Sequence, residues 1–318
     1  MDGFRPLLIW LLRGKNFVLS PRDQKIGVIY ALSAFTVWGL IPIFFKAIQQ
    51  ASPFEILCHR VVWTVPFTAL LIALSRDWKG LRAALSNKKV LTTLLFTSGM
   101  VASNWFVYIY AVNTDHVLEA SLGYFINPLV TIVLGMIFLG ERLRPFQILA
   151  VLLALAGTLN LTVNYGTLPW ISLYLAVTFG LYGLLRKTVA VEAVNGLFIE
   201  TSILLPLAIG YLLFLANKGE LALGAVDWRV ASLIILTGPV TTTPLILFTS
   251  AARRLRLMTI GLLQYLAPTI NFFLAVFLYH EPFTFTHLVT FVLIWTGLAI
   301  FMTDSIRIQR KYVKSILS

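Results

Sequence analysis

The stretch 118–142, LEASLGYFINPLVTIVLGMIFLGER, carries no charge between Glu119 and Glu141. Coiled as a helix, such a run crosses a hydrocarbon layer of roughly 30 Å. The chain repeats it 140 residues later as MTIGLLQYLAPTINFFLAVFLYHEP at 258–282, where Pro268 answers Pro128, Leu274 answers Leu134 and Glu281 answers Glu141. The same register pairs Ala111 with Ala251, Leu153 with Leu293 and Gly157 with Gly297. A single match is cheap in apolar sequence, whereas one register held from 111 to 157 is not.

The rest of the chain has the same character. Of 318 residues, 58% are apolar and 12% charged, where soluble domains hold about 45–50% and 25%. Mean hydropathy is +0.86. So few charges cannot cover a soluble surface, and the composition predicts a polytopic, all-helical membrane protein. Ten apolar stretches read as spans: 26–47, 54–75, 90–112, 117–139, 146–163, 168–185, 195–216, 230–251, 258–279 and 284–303. They must be helical, because lipid offers the backbone no hydrogen-bond partner. A β-barrel would instead show alternating segments of about ten residues. Cys58 is the one cysteine, so no internal disulfide and no structural zinc site is expected. No His-Glu-x-x-His signature is present among the four histidines, and neither enzyme, metal nor cofactor is expected.

The net charge of +12 follows from topology. Of 25 Lys and Arg, 21 fall in the N-terminal segment, in alternate loops and in the tail. Lys46, Lys218 and Arg229 lie on the other side and Arg60 lies inside a span. Basic loops stay cytoplasmic, so both termini are expected there, which needs an even number of spans. The basic charge thus needs no nucleic-acid partner. The apolar segment Phe4–Leu12 is too short to span and reads as interfacial. The domain reading is a 1–25 cytoplasmic or interfacial segment, five-helix repeats at 26–163 and 168–303, and a basic tail at 304–318.

A shift of 144 matches Tyr30 with Tyr174, Phe35 with Phe179, Gly39 with Gly183 and Leu40 with Leu184, and a shift of 145 matches Glu55 with Glu200. Five helices is an odd number, so the second repeat must be inverted relative to the first. Inverted repeats are the architecture of secondary transporters, whose site lies near the midplane between halves.

Ionisable groups within spans are costly and invite functional roles. Ser52-Pro53-Phe54-Glu55 opens the second span as a capping box with proline at the first helical position, so Glu55 reads as structural. His59, Arg60, Glu119 and Glu200 are the candidates for gating or coupling. Arg60 has three open fates: snorkelling outward, pairing with Glu119, or binding an anionic solute. Asp115 and Glu119 suit the N-terminal dipole of their helix. Glu200 either carries a proton or reaches Arg186 or Lys187. Uncharged polar groups supply the candidate solute contacts: Trp38 and its repeat mate Tyr182 as aromatic walls, Asn104 and Tyr108, Tyr124 and Asn127, and Gln264, Tyr265 and Asn271. Packing between helices also uses such groups. Thr241, Thr242 and Thr243 lie between Pro239 and Pro244, which are expected to weaken that helix. Glu141 and Glu281 read as structural corners, with Arg142 or Arg144 as partner of Glu141.

Several runs resemble the EamA branch of the drug/metabolite transporter superfamily, and within it the RarD proteins. They are Ile56-Leu57-Cys58-His59-Arg60-Val61-Val62-Trp63, the run Leu118–Arg142, Val189-Ala190-Val191-Glu192-Ala193 and Gln264-Tyr265-Leu266-Ala267-Pro268. The resemblance extends over roughly residues 24–305, and the N-terminal extension departs from it. It implies a multi-pass carrier of small organic molecules in the bacterial inner membrane, historically linked with chloramphenicol sensitivity. The expected partners are a small-molecule substrate and membrane lipid, and monomer and homodimer both remain open. A passive channel and a non-transporting membrane protein are the alternatives. The first would show filter loops or charge rings, and the second a sizeable extramembrane domain.

Overall fold

A computed structural model describes residues 21–114, 116–165, 170–280 and 284–317. The N-terminal segment through residue 20, Asp115 and Glu281 therefore lie outside the described residues. Among those described there are helices and no strands. They are α1 (Pro21–Lys46), α2 (Pro53–Ser75), α3 (Trp78–Ser86), α4 (Lys88–Asn113), α5 (Val117–Leu139), α6 (Pro145–Tyr165), α7 (Trp170–Thr188), α8 (Ala193–Lys218), α9 (Trp228–Ala252), α10 (Leu257–Leu263), α11 (Leu266–Phe273) and α12 (Phe285–Leu317). A 3-10 turn at Ala222–Gly224 and a π-turn at Leu274–Leu278 complete the set. Nine stretches of these helices, α10 and α11 acting together as one, are long and apolar enough to cross a membrane. The helix α7, 19 residues long, is not among the nine: it is the shortest of the long helices and closes on Arg186 and Lys187.

Local chemistry sets the boundaries. Ser52 caps α2, its Oγ accepting from Glu55 N at 3.2 Å, with Pro53 at the first helical position. Asp77 caps α3 and Asn87 caps α4 through side-chain oxygens. Gly140, at φ +62°, turns the chain out of α5. The capping box at Ser52 is only half made. Glu55 does not reach back to Ser52 but accepts from Ala222 N at 2.9 Å and Leu223 N at 3.3 Å, pinning the loop before α9.

The prolines behave differently from expectation. The helix α9 runs unbroken through Pro239 and Pro244. It is held against α2 by Thr242 donating to Thr64 at 2.9 Å and by Gly238, which packs flush on Trp63. The break falls instead between α10 and α11, at Gln264 and Tyr265. Pro268 has no N–H to offer the Gln264 carbonyl, which takes Ala267 N at 3.2 Å and tightens into a turn. The equivalent Pro128 leaves α5 continuous.

Two small-residue crossings fix the packing. Gly157 of α6 meets the Thr290 carbonyl of α12, and Gly297 of α12 meets the Ala150 carbonyl of α6. Gly261 of α10 lies against the Pro128 carbonyl of α5. Backbones this close need an absent side chain. The helix α1 packs on α9 and α11, while α7 packs on α4 and α5.

Candidate functional site

Arg60 lies on α2, seven residues beyond Pro53 and so ~10 Å along the helix axis. Its side chain points inward. Nε donates to Thr241 Oγ1 of α9 at 2.9 Å, and the guanidinium lies 4.4 Å over the Trp105 ring of α4 and 5.5 Å from Phe45 of α1. Tyr108 of α4 and Tyr124 of α5 stand close enough to feel its charge. Five helices therefore surround this one side chain. Arg60 and Trp105 are nonetheless only half-buried, and Tyr108 and Tyr124 expose 38% and 47% of their surface. Side chains both enclosed by helices and accessible line a cleft.

An aromatic cluster is packed from both halves of the chain, on the same core that Trp105 meets. Trp38 lies 5.6 Å from both Phe179 and Phe248, and Tyr182 stacks on Phe248 at 6.5 Å. To one side, at the break between α10 and α11, Gln264 Nε2 reaches Asn127 Oδ1 at 3.5 Å, and Thr131 donates to the same oxygen at 3.1 Å. The amide oxygens of Gln264 and Asn271 are buried without a partner. Unpaired buried amides normally cost stability, and here they flank a broken helix.

The opposite, basic end is tied shut. Glu200 of α8 is buried, accepting from Thr97 Oγ1 at 2.5 Å and from the Tyr182 hydroxyl at 3.4 Å. Arg186 is fully buried, with Nε 3.7 Å from Glu200 Oε1 and Nη2 donating to the Ala193 carbonyl at 3.0 Å. Lys187 turns the other way and donates to the Ala252 and Leu255 carbonyls. Arg253 reaches the Val191 carbonyl at 2.9 Å and Glu192 at 3.0 Å. Glu141 accepts from Leu257 N at 2.9 Å and Met258 N at 3.0 Å, capping α10, with Arg256 at 4.0 Å. Arg144 pairs with Asp304 at 2.6 Å instead. Glu141 is thus held by a helix N-terminus and Arg256, in place of the expected Arg142 or Arg144; free backbone donors at a helix start attract a carboxylate.

The expected residues therefore divide. Arg60, Tyr108 and Tyr124 meet in the cleft. Trp38 packs in the aromatic cluster, Asn127 and Gln264 meet each other at the helix break, and Asn271 lies on α11. Tyr182 and Tyr265 are fully buried, and the Tyr265 hydroxyl donates to the Phe125 carbonyl at 3.2 Å. Asn104 joins α4 to α7, donating to the Leu175 carbonyl at 2.9 Å and Thr178 Oγ1 at 2.8 Å. His59 is buried 3.5 Å from Glu55 Oε1. Glu119 begins α5, but its side chain lies outside the described residues. Trp105 sits three residues before Tyr108 and so shares its face. The burial of Arg186 had no sequence signal, since basic residues in a last turn normally face the interface. A surface groove of about 280 Å³ lined by Phe146, Ile300, Asp304 and Arg307 lies at the basic edge, away from Arg60.

Comparison with known proteins identifies the molecule. Residues 25–163 match the EamA-like transporter family. Protein RarD of Escherichia coli is 46% identical over 93% of this chain and 100% of its own. An uncharacterized transporter of Vibrio cholerae is 44% identical over 90% of this chain and 95% of its own. A solved crystal structure superposes with a TM-score of 0.68 at 20% identity, over 89% of this chain and 98% of that one, a likeness of fold. Identity of this order over nearly the whole length, on nine membrane-length apolar helices, places the chain in the RarD branch of the EamA-like transporter family, as a multi-pass membrane transporter.

Proposed function

We propose that this protein is a secondary transporter of a small organic solute, built from ten spans in two inverted halves with both termini on the basic, cytoplasmic side of a bacterial inner membrane. The observation that carries this reading is the cleft around Arg60, which α1, α2, α4 and α5 of the first half share with α9 of the second. A site between two halves is what alternating access requires. The inverted repeat draws support from reciprocal packing. Gly157 meets Thr290 while Gly297 meets Ala150, and each pair exchanges partners across the same 140-residue register. The packing of α1 on α9 and α11 likewise has its counterpart in α7 on α4 and α5. In this scheme α7 is the tenth span.

In this reading the bonds of the Glu200, Arg253 and Glu141 clusters close the basic end, and the cleft opens to the other. Tyr108, Tyr124 and Arg60 contact the solute, Trp38 and the Asn127–Gln264–Asn271 group form the floor, and Tyr182, Tyr265 and Asn104 hold the helices around it. The Glu200–Arg186–Tyr182–Thr97 cluster is the cytoplasmic latch, broken when the site turns inward. His59, next to Glu55 at the other end, and Glu119 serve the outer gate. Coupling to protons would run through Glu200. The test is an untargeted comparison of metabolites inside and outside cells with and without the gene, followed by flux of the affected solute into proteoliposomes. Saturable, protein-dependent flux is expected. No flux under any ion or pH gradient refutes the reading, and flux rising linearly with solute makes the protein a channel.

A further inference from the structure

We infer that the transported solute is an organic anion, its carboxylate or phosphate seated on Arg60 and its apolar or aromatic body held by Trp105, Tyr108 and Tyr124. This rests on the transporter reading and adds the chemical class of the solute. The first ground is charge balance. An arginine this far into a span is costly unless it is paired or faces a pathway. Arg186 shows what the same chain does with a buried guanidinium: a carboxylate stands 3.7 Å from its Nε and its Nη2 donates to the Ala193 carbonyl at 3.0 Å, although Nε and Nη1 make no hydrogen bond. Arg60 has no carboxylate within 4.0 Å among the described residues, which do not include the Glu119 side chain, and the hydrogen bond it makes there is from Nε to a neutral threonine.

The second ground is orientation. Thr241 holds the Nε edge and Trp105 covers one face of the guanidinium, so the Nη1 and Nη2 edge is the one left for a partner. That edge is the fork that binds an oxyanion through two parallel hydrogen bonds. Snorkelling would carry the group away from the bundle, whereas its contacts lie on α1, α4 and α9. The third ground is the lining. Two half-exposed phenols and an indole face supply flat apolar area with hydroxyls at the rim, which suits a small apolar or aromatic body beside the anionic group.

The experiment uses proteoliposomes of the full chain loaded with the small-molecule extract of bacterial cells, with protein-free liposomes as control and efflux followed by mass spectrometry. Species that leave only with protein are expected to carry a carboxylate or phosphate on an apolar or aromatic body. Arg60→Gln should cut their efflux roughly ten- to a hundredfold, the loss of a charge-assisted pair of hydrogen bonds, and Arg60→Lys should retain a part of it. If the protein-dependent species are cations or neutral molecules, or if Arg60→Gln exports anions at the native rate, the inference is overturned while the transporter reading stands. If no species leaves under any gradient, the transporter reading falls and takes this inference with it. Should Arg60→Gln fail to fold, competition on the native protein decides: benzoate must inhibit efflux at least tenfold better than benzamide, and equal inhibition overturns the assignment.

Discussion

Replacing Gly196 by alanine is expected to destabilise the protein, although alanine is the better helix former. A β-carbon built on Gly196 falls on the Arg186 guanidinium, far inside van der Waals contact with Nη1 and 2.6 Å from Cζ and Nη2. The far end of an arginine normally swings aside, but this one is 0% exposed and is held by the Ala193 carbonyl and Glu200. Displacing it separates a buried ion pair, which costs about 3–5 kcal/mol. The gain in helix propensity returns about 1 kcal/mol. The balance is a loss of roughly 2–4 kcal/mol. Gly210 on the same helix is the control, because nothing lies within 4 Å of its added β-carbon. Gly210→Ala should be neutral or gain up to about 1 kcal/mol. Both variants would be compared with the native chain by reversible unfolding in mixed detergent micelles, reading helix loss by circular dichroism. A Gly196→Ala protein as stable as the native chain, or as stable as Gly210→Ala, would show that Arg186 is not locked over α8 and would remove the basis for the latch.

Two further substitutions probe the packing. Glu141→Ala strips the start of α10 of the carboxylate that accepts from Leu257 N and Met258 N, and should cost about 1.5–3 kcal/mol in the same unfolding assay; a loss under half a kcal/mol would contradict the cap. Gly261→Ala places a β-carbon 2.6 Å from the Pro128 carbonyl and 2.7 Å from Ile132 Cγ1. Since a backbone oxygen cannot yield as a side chain does, the expected penalty is about 1–3 kcal/mol, and a thermal midpoint at or above the native value would refute the close crossing.

The run 118–142 and its counterpart at 258–282 were legible because an uncharged helix-length segment has only one home, the bilayer interior. The start of α2 was legible for a related reason: Ser52 acts on Glu55, three positions away, a distance that sequence displays. The candidate site was only partly legible. The scarcity of intramembrane charge singled out Arg60 and Glu200, and Arg186 was legible as a partner for Glu200, but the hydrogen-bond partners Thr241 and Thr97 lie 181 and 103 residues away. Glu55 read as a capping-box residue and Glu141 as a structural corner, yet their backbone partners at Ala222 and Leu257 lie 167 and 116 residues on. The broken helix is a sharper case. Pro128 and Pro268 are equivalent in the repeat, and only the second coincides with a break, so the proline removes a donor and the surroundings decide whether the helix yields.

The sequence by itself determined the solvent of this protein and its helical character, because lipid forbids unpaired backbone over any stretch of that length. It also determined which few charges must lie inside. Only the tertiary structure decided that Glu200 would meet Arg186 in a closed, buried cluster while Arg60 would stand in an open cleft without a counter-ion among the described residues. That decision is made by which helices pack together, since a charge in a low-dielectric interior takes its meaning from the group across the gap and not from its neighbours along the chain.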